Sequence, residues 1–222
     1  MLAPPDAAPA TAGAVDVAIR ALGRTEYEAC WRAMQAFTDA RDAATPDEIW
    51  LTEHPPVYTL GLAGRREHLR RATGIPVIKV DRGGQITYHG PGQLVAYLLV
   101  DLRRARRGVR DMVRSIEAAV VAFLDAHGIA AYGRPEAPGV YVRRDGVEAK
   151  IAALGLKVRN GCTYHGLALN VAMDLAPFGD IDPCGYPGLA VTQLADFGVS
   201  ADVAAVGAAL APVLARHLSP KP

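Results

Sequence analysis

Cys184 is the residue of this chain whose sequence setting best suits covalent chemistry. It lies between Pro183 and Gly185, in a run that neither a helix nor the interior of a strand could hold. A cysteine on such a turn is presented instead of packed, and its thiolate would be a nucleophile. The alternative is an exposed bystander thiol, and the pattern alone leaves both open.

A second thiol, Cys162, precedes His165 closely enough to suggest a Cys-His dyad or half of a zinc site. Side chains three positions apart in an extended strand point to opposite faces, so the pair meets only if the turn at Gly161 bends the chain. Two further ligands at suitable spacing are missing. We therefore predict a structural role for Cys162 and no metal site.

Lys150 lies in an apolar stretch, residues 149–152, that predicts a strand. A lysine that faces the protein interior is costly unless it has a counter-charge or a chemical task. An outward-facing lysine is the alternative, and the pattern does not exclude it.

The segment 82–93 places four glycines, a proline and several polar side chains in twelve residues. Gly83 and Gly84 permit positive φ and close approach of a ligand, and residues 90–92 predict a turn before an apolar strand. A loop that leads into a buried strand is a common place for a site. A plain Gly-Pro hairpin is the alternative for 90–92, but Arg82 and its polar neighbours favour a site.

The remaining elements must position these groups, and their order predicts an α+β fold with one mixed or antiparallel sheet flanked by helices. Helices are predicted after the capping-box sequence 25–28, from about Asp111 to His127, and from Ala201 to His217 behind Ser200 as N-cap. Two-residue turns are predicted at 145–146 and 160–161. Strands are predicted at 15–22, 48–52, 57–60, 77–80, 94–102, 140–143, 147–158 and 164–171.

Composition excludes several functional classes. The 222 residues are half hydrophobic with a formal net charge of +1, which disfavours a whole-surface nucleic-acid or membrane binder. The three cysteines lie far apart, which fits a reducing compartment, so we expect the cytoplasm. We find no membrane span and no secretory signal in the pattern. We predict a flexible tail over residues 1–14 and a single domain over residues 15–222.

One strong cationic run, residues 103–110, contains five arginines. Such clusters are usually solvated surface, and the functional alternative is a dock for an acidic partner. Because no aromatic residues interleave the arginines, nucleic acid is the weaker alternative.

The order of these motifs resembles the lipoyl(octanoyl) transferases of lipoate biosynthesis, relatives of the lipoate and biotin protein ligases. The resemblance rests on 82–93 and on three later segments, 149–155 (AKIAALG), 161–170 (GCTYHGLALN) and 182–186 (DPCGY). It covers the chain from about the first helix to the end. The fold it implies is that of the biotin/lipoate protein ligase catalytic domain, which agrees with the α+β pattern.

The resemblance implies site residues. Cys184 matches the acylated cysteine of the family, and Lys150 matches the lysine that lowers the pKa of that thiol and, once neutral, could take up a proton. Ala153 departs from the family, which more often has serine there, so a hydroxyl contact to the ligand is expected to be absent. Backbone N–H groups at Gly83, Gly84 or Gly155 are candidates for an oxyanion hole. The substrate-binding residues implied are Arg82, Gly83, Gly84, Gln85, Ile86, Thr87, Tyr88, His89, Ala153, Leu154, Gly155, Gly166, Leu167 and Ala168.

The activity implied is transfer of an octanoyl group from the phosphopantetheine of acyl carrier protein to a lysine of a lipoyl domain. Thioester exchange is nearly neutral and amide formation is downhill, so the resemblance implies no ATP, no metal and no bound cofactor. Implied acceptors are the glycine cleavage H protein and the acyltransferase subunits of 2-oxoacid dehydrogenases, and a monomer is expected.

Two alternatives remain open. One is an ATP-dependent lipoate or biotin ligase on the same fold, which would activate a free acid as an adenylate. The other is a non-catalytic protein that binds an acyl carrier or a lipoyl domain.

Overall fold

The structure is a computed structural model that describes residues 17–182 and 188–219. The predicted tail, residues 1–14, and the predicted nucleophile Cys184 lie outside the described residues, and the single domain over 15–222 stays a prediction. The helices of the described ranges are α1 Tyr27–Ala40, α2 Val109–Asp125 and α3 Val203–Leu218. The strands are β1 Ala18–Arg24, β2 Glu48–Glu53, β3 Val57–Leu60, β4 Val77–Lys79, β5 Ile86–His89, β6 Gln93–Leu99, β7 Ala131–Gly133, β8 Gly139–Arg144, β9 Val147–Arg159, β10 Cys162–Asn170 and β11 Ala190–Val191.

These strands form two sheets. The larger has the order β1-β2-β6-β10-β9-β8-β7. It is mixed, because β1 pairs in parallel with β2, and β11 pairs in parallel with β9, whereas the other neighbours are antiparallel. The smaller sheet has the order β4-β3-β5. The α+β class and the mixed sheet are confirmed, but the second sheet was not predicted, because its strand β5 lies inside the glycine-rich segment 82–93.

The strand β6 is buried along its whole length because it packs on both faces. Leu94 and Leu98 belong to the apolar cluster that α2 and α3 complete, whereas Val95 and Tyr97 belong to the cluster that α1 completes. Alternating side chains of one strand point to opposite faces of a sheet. The large sheet therefore lies between α2 and α3 on one face and α1 on the other. Within the described ranges, no helix has the length and apolar character that crossing a bilayer requires.

Both predicted two-residue turns are confirmed. Asp145 and Gly146 have φ of 50° and 80°, and Asn160 and Gly161 have φ of 53° and 81°. Two successive residues with positive φ match the twist of a tight antiparallel hairpin. These two turns therefore join β8, β9 and β10 as consecutive antiparallel hairpins.

Both predicted helix caps are wrong. Glu26 is the N-cap of α1 without a side-chain hydrogen bond, and the Thr25 hydroxyl pairs with that of Thr52 at 2.8 Å instead. In α3 the N-cap is Asp202, whose carboxylate accepts the N–H of Ala205 at 2.7 Å. Where several residues that favour the N-cap position follow one another, the sequence does not fix which of them begins the helix. The choice depends on how the preceding chain packs.

Gly166 gives the first testable consequence of the fold. A Cβ there would overlap the carbonyl oxygen of Ala96 in the adjacent strand β6. Gly166→Ala should therefore lower the free energy of unfolding by about 1–3 kcal/mol, as overpacking does in a core that is already filled. Urea denaturation measures this change. Gly179→Ala is the matched control, because a Cβ there meets no atom within 4 Å; equal losses in both variants would contradict the close approach of β10 and β6.

Candidate functional site

A cavity lies between the two sheets, beside the first turn of α1. Its empty volume is about 740 Å³, counting the space open to solvent, and its exposed lining is mainly apolar. The predicted site residues on its wall are Arg82, Gly84, Gln85, Ile86, Thr87, His89, Lys150, Ala153, Leu154, Gly155, Gly166, Leu167 and Ala168.

The predicted binding segments meet because β9 packs closely against the loop before β5. The N–H of Gly83 donates to the carbonyl of Leu156 at 2.8 Å, and a Cβ at Gly155 would lie 3.0 Å from the carbonyl oxygen of Gly83. The Gly83 N–H is thus already used, which removes it from the oxyanion-hole candidates. Gly84 does have the expected positive φ, 81°. Gly83 and Tyr88 do not line the cavity, since Tyr88 packs in the core of the small sheet against Phe178.

Lys150 is buried, with 4% of its surface exposed, so the alternative of an outward-facing lysine is excluded. Its Nζ donates to the carbonyl of Pro138 at 3.2 Å and lies 4.9 Å from the centre of the Tyr141 ring. Carbonyl oxygens and aromatic faces both stabilise an ammonium. A Cβ at Gly139 would lie 2.9 Å from Cε and from Nζ, so only glycine leaves room for the lysine.

The strand β11 reaches the site at the same point. Val191 lines the cavity and pairs with Lys150, and the N–H of Thr192 donates to the Lys150 carbonyl at 3.0 Å. This strand follows the segment that contains Cys184, which lies outside the described residues. The pairing of Cys184 with Lys150 stays a prediction.

Arg82 is buried in the wall opposite the large sheet. Its Nη2 donates to the carbonyl and the hydroxyl oxygens of Thr59 at 2.7 and 2.8 Å, and its Nη1 donates to the carbonyl of Gly83 at 2.9 Å. These bonds hold the guanidinium on the backbone of the loop that it begins. Arg82 therefore gives the loop its shape as well as a positive charge at the cavity.

A directed chain of hydrogen bonds crosses the cavity floor from Arg82. The Thr59 hydroxyl, an acceptor from Arg82, lies 3.4 Å from His89 Nε2, and His89 Nδ1 lies 2.7 Å from Gln93 Oε1. The Gln93 amide then donates to Asn170 Oδ1 at 2.9 Å, and the Asn170 amide to the carbonyl of Thr192 at 2.9 Å. The Gln93 amide oxygen can only accept, so His89 carries its proton on Nδ1 and donates to it. The Nε2 of His89 is then the acceptor that faces the Thr59 hydroxyl.

Asp81 joins α1 to β10 at the far end of the cavity. Its carboxylate accepts the Trp31 indole N–H at 2.9 Å, the Tyr164 hydroxyl and His165 Nε2 at 3.1 Å. Burial raises the pKa of Asp81, but the bonds from His165 and Tyr164 outweigh it and lower the pKa below its usual value. The carboxylate is therefore ionised at neutral pH.

Two neighbouring residues of β10 reach this one carboxylate because His165 has φ of 60°. Consecutive side chains of a regular strand point to opposite faces, whereas here the Tyr164 and His165 rings stack at 5.1 Å between centres. Histidine tolerates this left-handed conformation better than most residues do. The predicted Cys-His alternative is thereby excluded, because His165 bonds to Asp81 and Cys162 packs as a buried thiol whose pKa burial raises.

Burial keeps the histidines of the site neutral. It lowers the pKa of His54 to about 4 and that of His89 to about 3, and it lowers the pKa of His165 as well. The Thr25 carbonyl can only accept, so His54 Nδ1 donates to it at 2.7 Å and Nε2 accepts the Tyr97 hydroxyl at 2.6 Å. The cavity thus combines fixed neutral rings with the cations Arg82 and Lys150.

Sequence reasoning missed several residues of this wall. Gln93 begins the buried strand β6 and Asn170 ends the buried strand β10, and a polar residue at either end of a buried strand is a signal that could have indicated them. Tyr27 and Tyr97 carry no such signal, because both fit an apolar pattern. The unpredicted residues that line the cavity are Tyr27, Gln93, Val95, Tyr97, His165, Asn170, Phe178 and Val191.

Comparison with known sequences points in one direction. A family model described as the lipoyl protein ligase A/B catalytic domain matches residues 26–215. The chain is 60% identical over 216 residues to a protein of Aromatoleum aromaticum named octanoyltransferase, an alignment that covers 97% of this chain and 92% of that protein. It is 61% identical over 201 residues to a protein of the same name from Laribacter hongkongensis, covering 90% of this chain and 95% of that one.

Solved structures agree on the fold. A bi-partite lipoate protein ligase from Thermoplasma acidophilum has a TM-score of 0.74 at 19% identity, over 91% of this chain and 84% of the other. The biotin protein ligase from Aquifex aeolicus, in complex with biotin and ATP, has a TM-score of 0.58 at 13% identity, over 90% and 70% of the two chains. At these identities the likeness shows the fold alone. The predicted fold of the biotin/lipoate ligase catalytic domain is confirmed.

The neutral histidines predict an acid-sensitive stability. A histidine whose pKa is lowered by folding takes up a proton on unfolding, so its stabilisation is complete above about pH 6.5 and is lost as the pH falls toward the folded pKa. For His54 this window runs from 6.5 to about 4. Within it, the free energy of unfolding should fall by about 1.4 kcal/mol per pH unit for each such histidine.

Urea denaturation from pH 7 to 4.5 measures this slope. In His54→Gln, whose amide can replace both hydrogen bonds but cannot titrate, the slope should be smaller by the contribution of one histidine. Equal slopes for the two proteins would show that His54 does not take up a proton when the chain unfolds.

Proposed function

The chain belongs to the family of the lipoyl protein ligase A/B catalytic domain, and we propose that within this family it is an octanoyltransferase. It moves an octanoyl group from acyl carrier protein to a lysine of a lipoyl domain through a thioester on Cys184. The acceptors are the lipoyl domains of the glycine cleavage H protein and of 2-oxoacid dehydrogenase acyltransferase subunits. Relatives near 60% identity named octanoyltransferase support the choice of acyl group.

The observation that carries this proposal is a buried lysine ammonium on the wall of a mainly apolar cavity. An apolar cavity suits a medium-length alkyl chain, which needs area and few polar partners. A buried ammonium is costly unless it serves an anion or a reaction. A thiolate beside the mouth of an acyl-chain cavity would meet both conditions.

The reaction proceeds in two balanced half-reactions. The Cys184 thiolate attacks the carbonyl carbon of the octanoyl thioester, the bond to the pantetheine sulfur breaks, and that sulfur leaves as a thiolate and takes up a proton. The neutral ε-amine of the acceptor lysine then attacks the acyl-enzyme, an amide forms, a proton is lost from nitrogen and the Cys184 thiolate is restored. Lys150 as ammonium favours the thiolate in the first half-reaction, and as a neutral amine it could accept the proton in the second.

No ATP, metal or bound cofactor takes part in this proposal, since the acyl group arrives as a thioester. Three or more His, Cys, Asp or Glu side chains do not come together as a metal site anywhere in the described part of the chain. A ligase that makes an adenylate would instead need ATP and a free acid. The two activities therefore differ in their substrates and can be separated in one assay.

The cationic run 103–110 divides into anchored and exposed arginines. Arg104 pairs with Asp47 at 2.6 Å, and Arg107 donates to the Ser219 carbonyl at 2.7 Å. Arg103 donates to the Asn160 carbonyl at 2.7 Å, at the hairpin between β9 and β10. Arg106 and Arg110 are exposed. We propose that these two attract the acidic carrier or acceptor domain, while Arg104 and Arg107 stabilise the fold.

The docking proposal predicts a kinetic effect. Arg106→Glu combined with Arg110→Glu should slow association with octanoyl acyl carrier protein several-fold at low ionic strength and flatten its salt dependence, because long-range attraction acts mainly on the association rate. Stopped-flow mixing at several salt concentrations measures both. Arg32→Glu, an exposed charge reversal on α1, is the control. An unchanged association rate at low salt would assign the run to solvated surface.

The nucleophile gives the direct test of the proposal. Incubation with octanoyl acyl carrier protein should add one octanoyl group, which peptide mapping by mass spectrometry should place on Cys184. Cys184→Ala should remove the adduct, whereas Cys162→Ala should keep it, because Cys162 is a buried structural thiol. An adduct on Cys162 would overturn the assignment. Product formed only from free octanoate with ATP would show a ligase, and binding without any adduct would show a non-catalytic protein.

A further inference from the structure

Glu117 of α2 lies near Lys150 but does not line the cavity. Its Oε1 accepts the N–H of Gly139 at 2.9 Å. The same glycine leaves the space that Lys150 fills, since a Cβ there would lie 2.9 Å from Nζ. Standard bond lengths then keep the Glu117 carboxylate and the Lys150 nitrogen within about 8 Å of each other.

Glu117 and Lys150 bind the two polar groups of the same peptide, Pro138–Gly139. Glu117 receives its N–H, and the carbonyl of Pro138 accepts from Lys150 Nζ at 3.2 Å. A helix that binds the Gly139 N–H therefore also sets where the Pro138 carbonyl stands. Gly139 has φ of 146°, which residues with a Cβ rarely adopt, so its neighbours must hold this backbone conformation in place.

We propose that Glu117 is a positioning residue for Lys150: it holds the peptide against which the lysine rests and supplies a negative charge that favours the ammonium. The inference rests on the proposed function for its meaning in catalysis, but the charge effect does not depend on any substrate. Glu117 does not line the cavity, so it acts through Lys150 and Gly139.

Other charged groups face the same pair. Burial raises the pKa of Glu117, and the bond from Gly139 and the charges of Lys150 and Arg114 lower it in part. On the Lys150 side, the Tyr141 ring also lies 5.4 Å from the Arg134 guanidinium, which pairs with Glu148 at 2.7 Å. Arg134 also pairs with Glu136 at 2.6 Å, so two carboxylates face its charge, whereas the Glu117 carboxylate accepts the N–H of the peptide beside the lysine.

The test replaces the charge and keeps the shape. Glu117→Gln can still accept the Gly139 N–H through its amide oxygen, and Glu117→Asp keeps the charge on a shorter side chain. Asp125→Asn removes the same charge from an exposed position at the C-terminal end of α2 and is the matched control. The chain has four lysines, so Lys150→Met identifies the Lys150 signal in a spectrum of the lysine side chains.

The pH titration of the Lys150 side chain by ¹³C and ¹⁵N NMR gives the readout. In Glu117→Gln its midpoint should fall by roughly 0.5–1 pH unit, the effect expected from removing one charge within about 8 Å. Asp125→Asn should match wild type, and Glu117→Asp should lie closer to wild type than Glu117→Gln. A midpoint in Glu117→Gln equal to that of wild type would overturn the proposal, including the case in which Glu117 already holds a proton.

A second measurement connects the charge to the reaction. The alkaline limb of Cys184 acylation by octanoyl-pantetheine should move to lower pH in Glu117→Gln, in step with the Lys150 midpoint. If the midpoint moves while wild type forms no acyl-enzyme, the proposed function fails and the charge effect stands. If wild type is acylated and the midpoint does not move, the positioning role fails and the proposed function stands.

Discussion

The burial of the Lys150 ammonium is the constraint on which the rest of the site depends. A charge removed from water must be stabilised by groups already in place, or it loses its proton. The Pro138 carbonyl, just before β8, and the Tyr141 ring of β8 contact it, and β11 pairs with its backbone. The long strand β9 is thereby held from both edges where the lysine projects. The space that the Lys150 side chain fills explains why residue 139 is a glycine, because a Cβ there would lie 2.9 Å from Nζ.

On the opposite wall, hydrogen bonds to protein oxygen atoms stabilise the buried charge of Arg82. Its guanidinium donates to oxygen atoms of Thr59 and Gly83, so its charge also orders the loop that it begins. The neighbouring histidines stay neutral, because burial disfavours their charged form. The cavity between them is therefore apolar in its exposed surface and polar in the shell just behind it.

Local signals predicted the elements well wherever a single residue type has a strong conformational preference. The hairpin turns at Asp145-Gly146 and Asn160-Gly161 are of this kind. The signals failed where several residues compete. Thr25 and Ser200 both suit an N-cap, yet Thr25 bonds across to β2 and Asp202 caps α3. The strand β5 was hidden because its pairing with β3 is a long-range contact.

The sequence by itself determined the three helices and most of the strands, the α+β class, the glycine-rich segment that borders the cavity, and Lys150 as a residue without an obvious place in an apolar strand. Resemblance added the expected role of Cys184 as nucleophile and the expected acyl chemistry. Only the tertiary structure decided that His165 turns to Asp81, that Tyr27 and Tyr97 line the cavity, and that Glu117 lies near Lys150. The reason is physical: periodicity and turn preference act between neighbours in the chain, whereas a buried charge is matched by whichever distant group the packing of helix on sheet brings within reach.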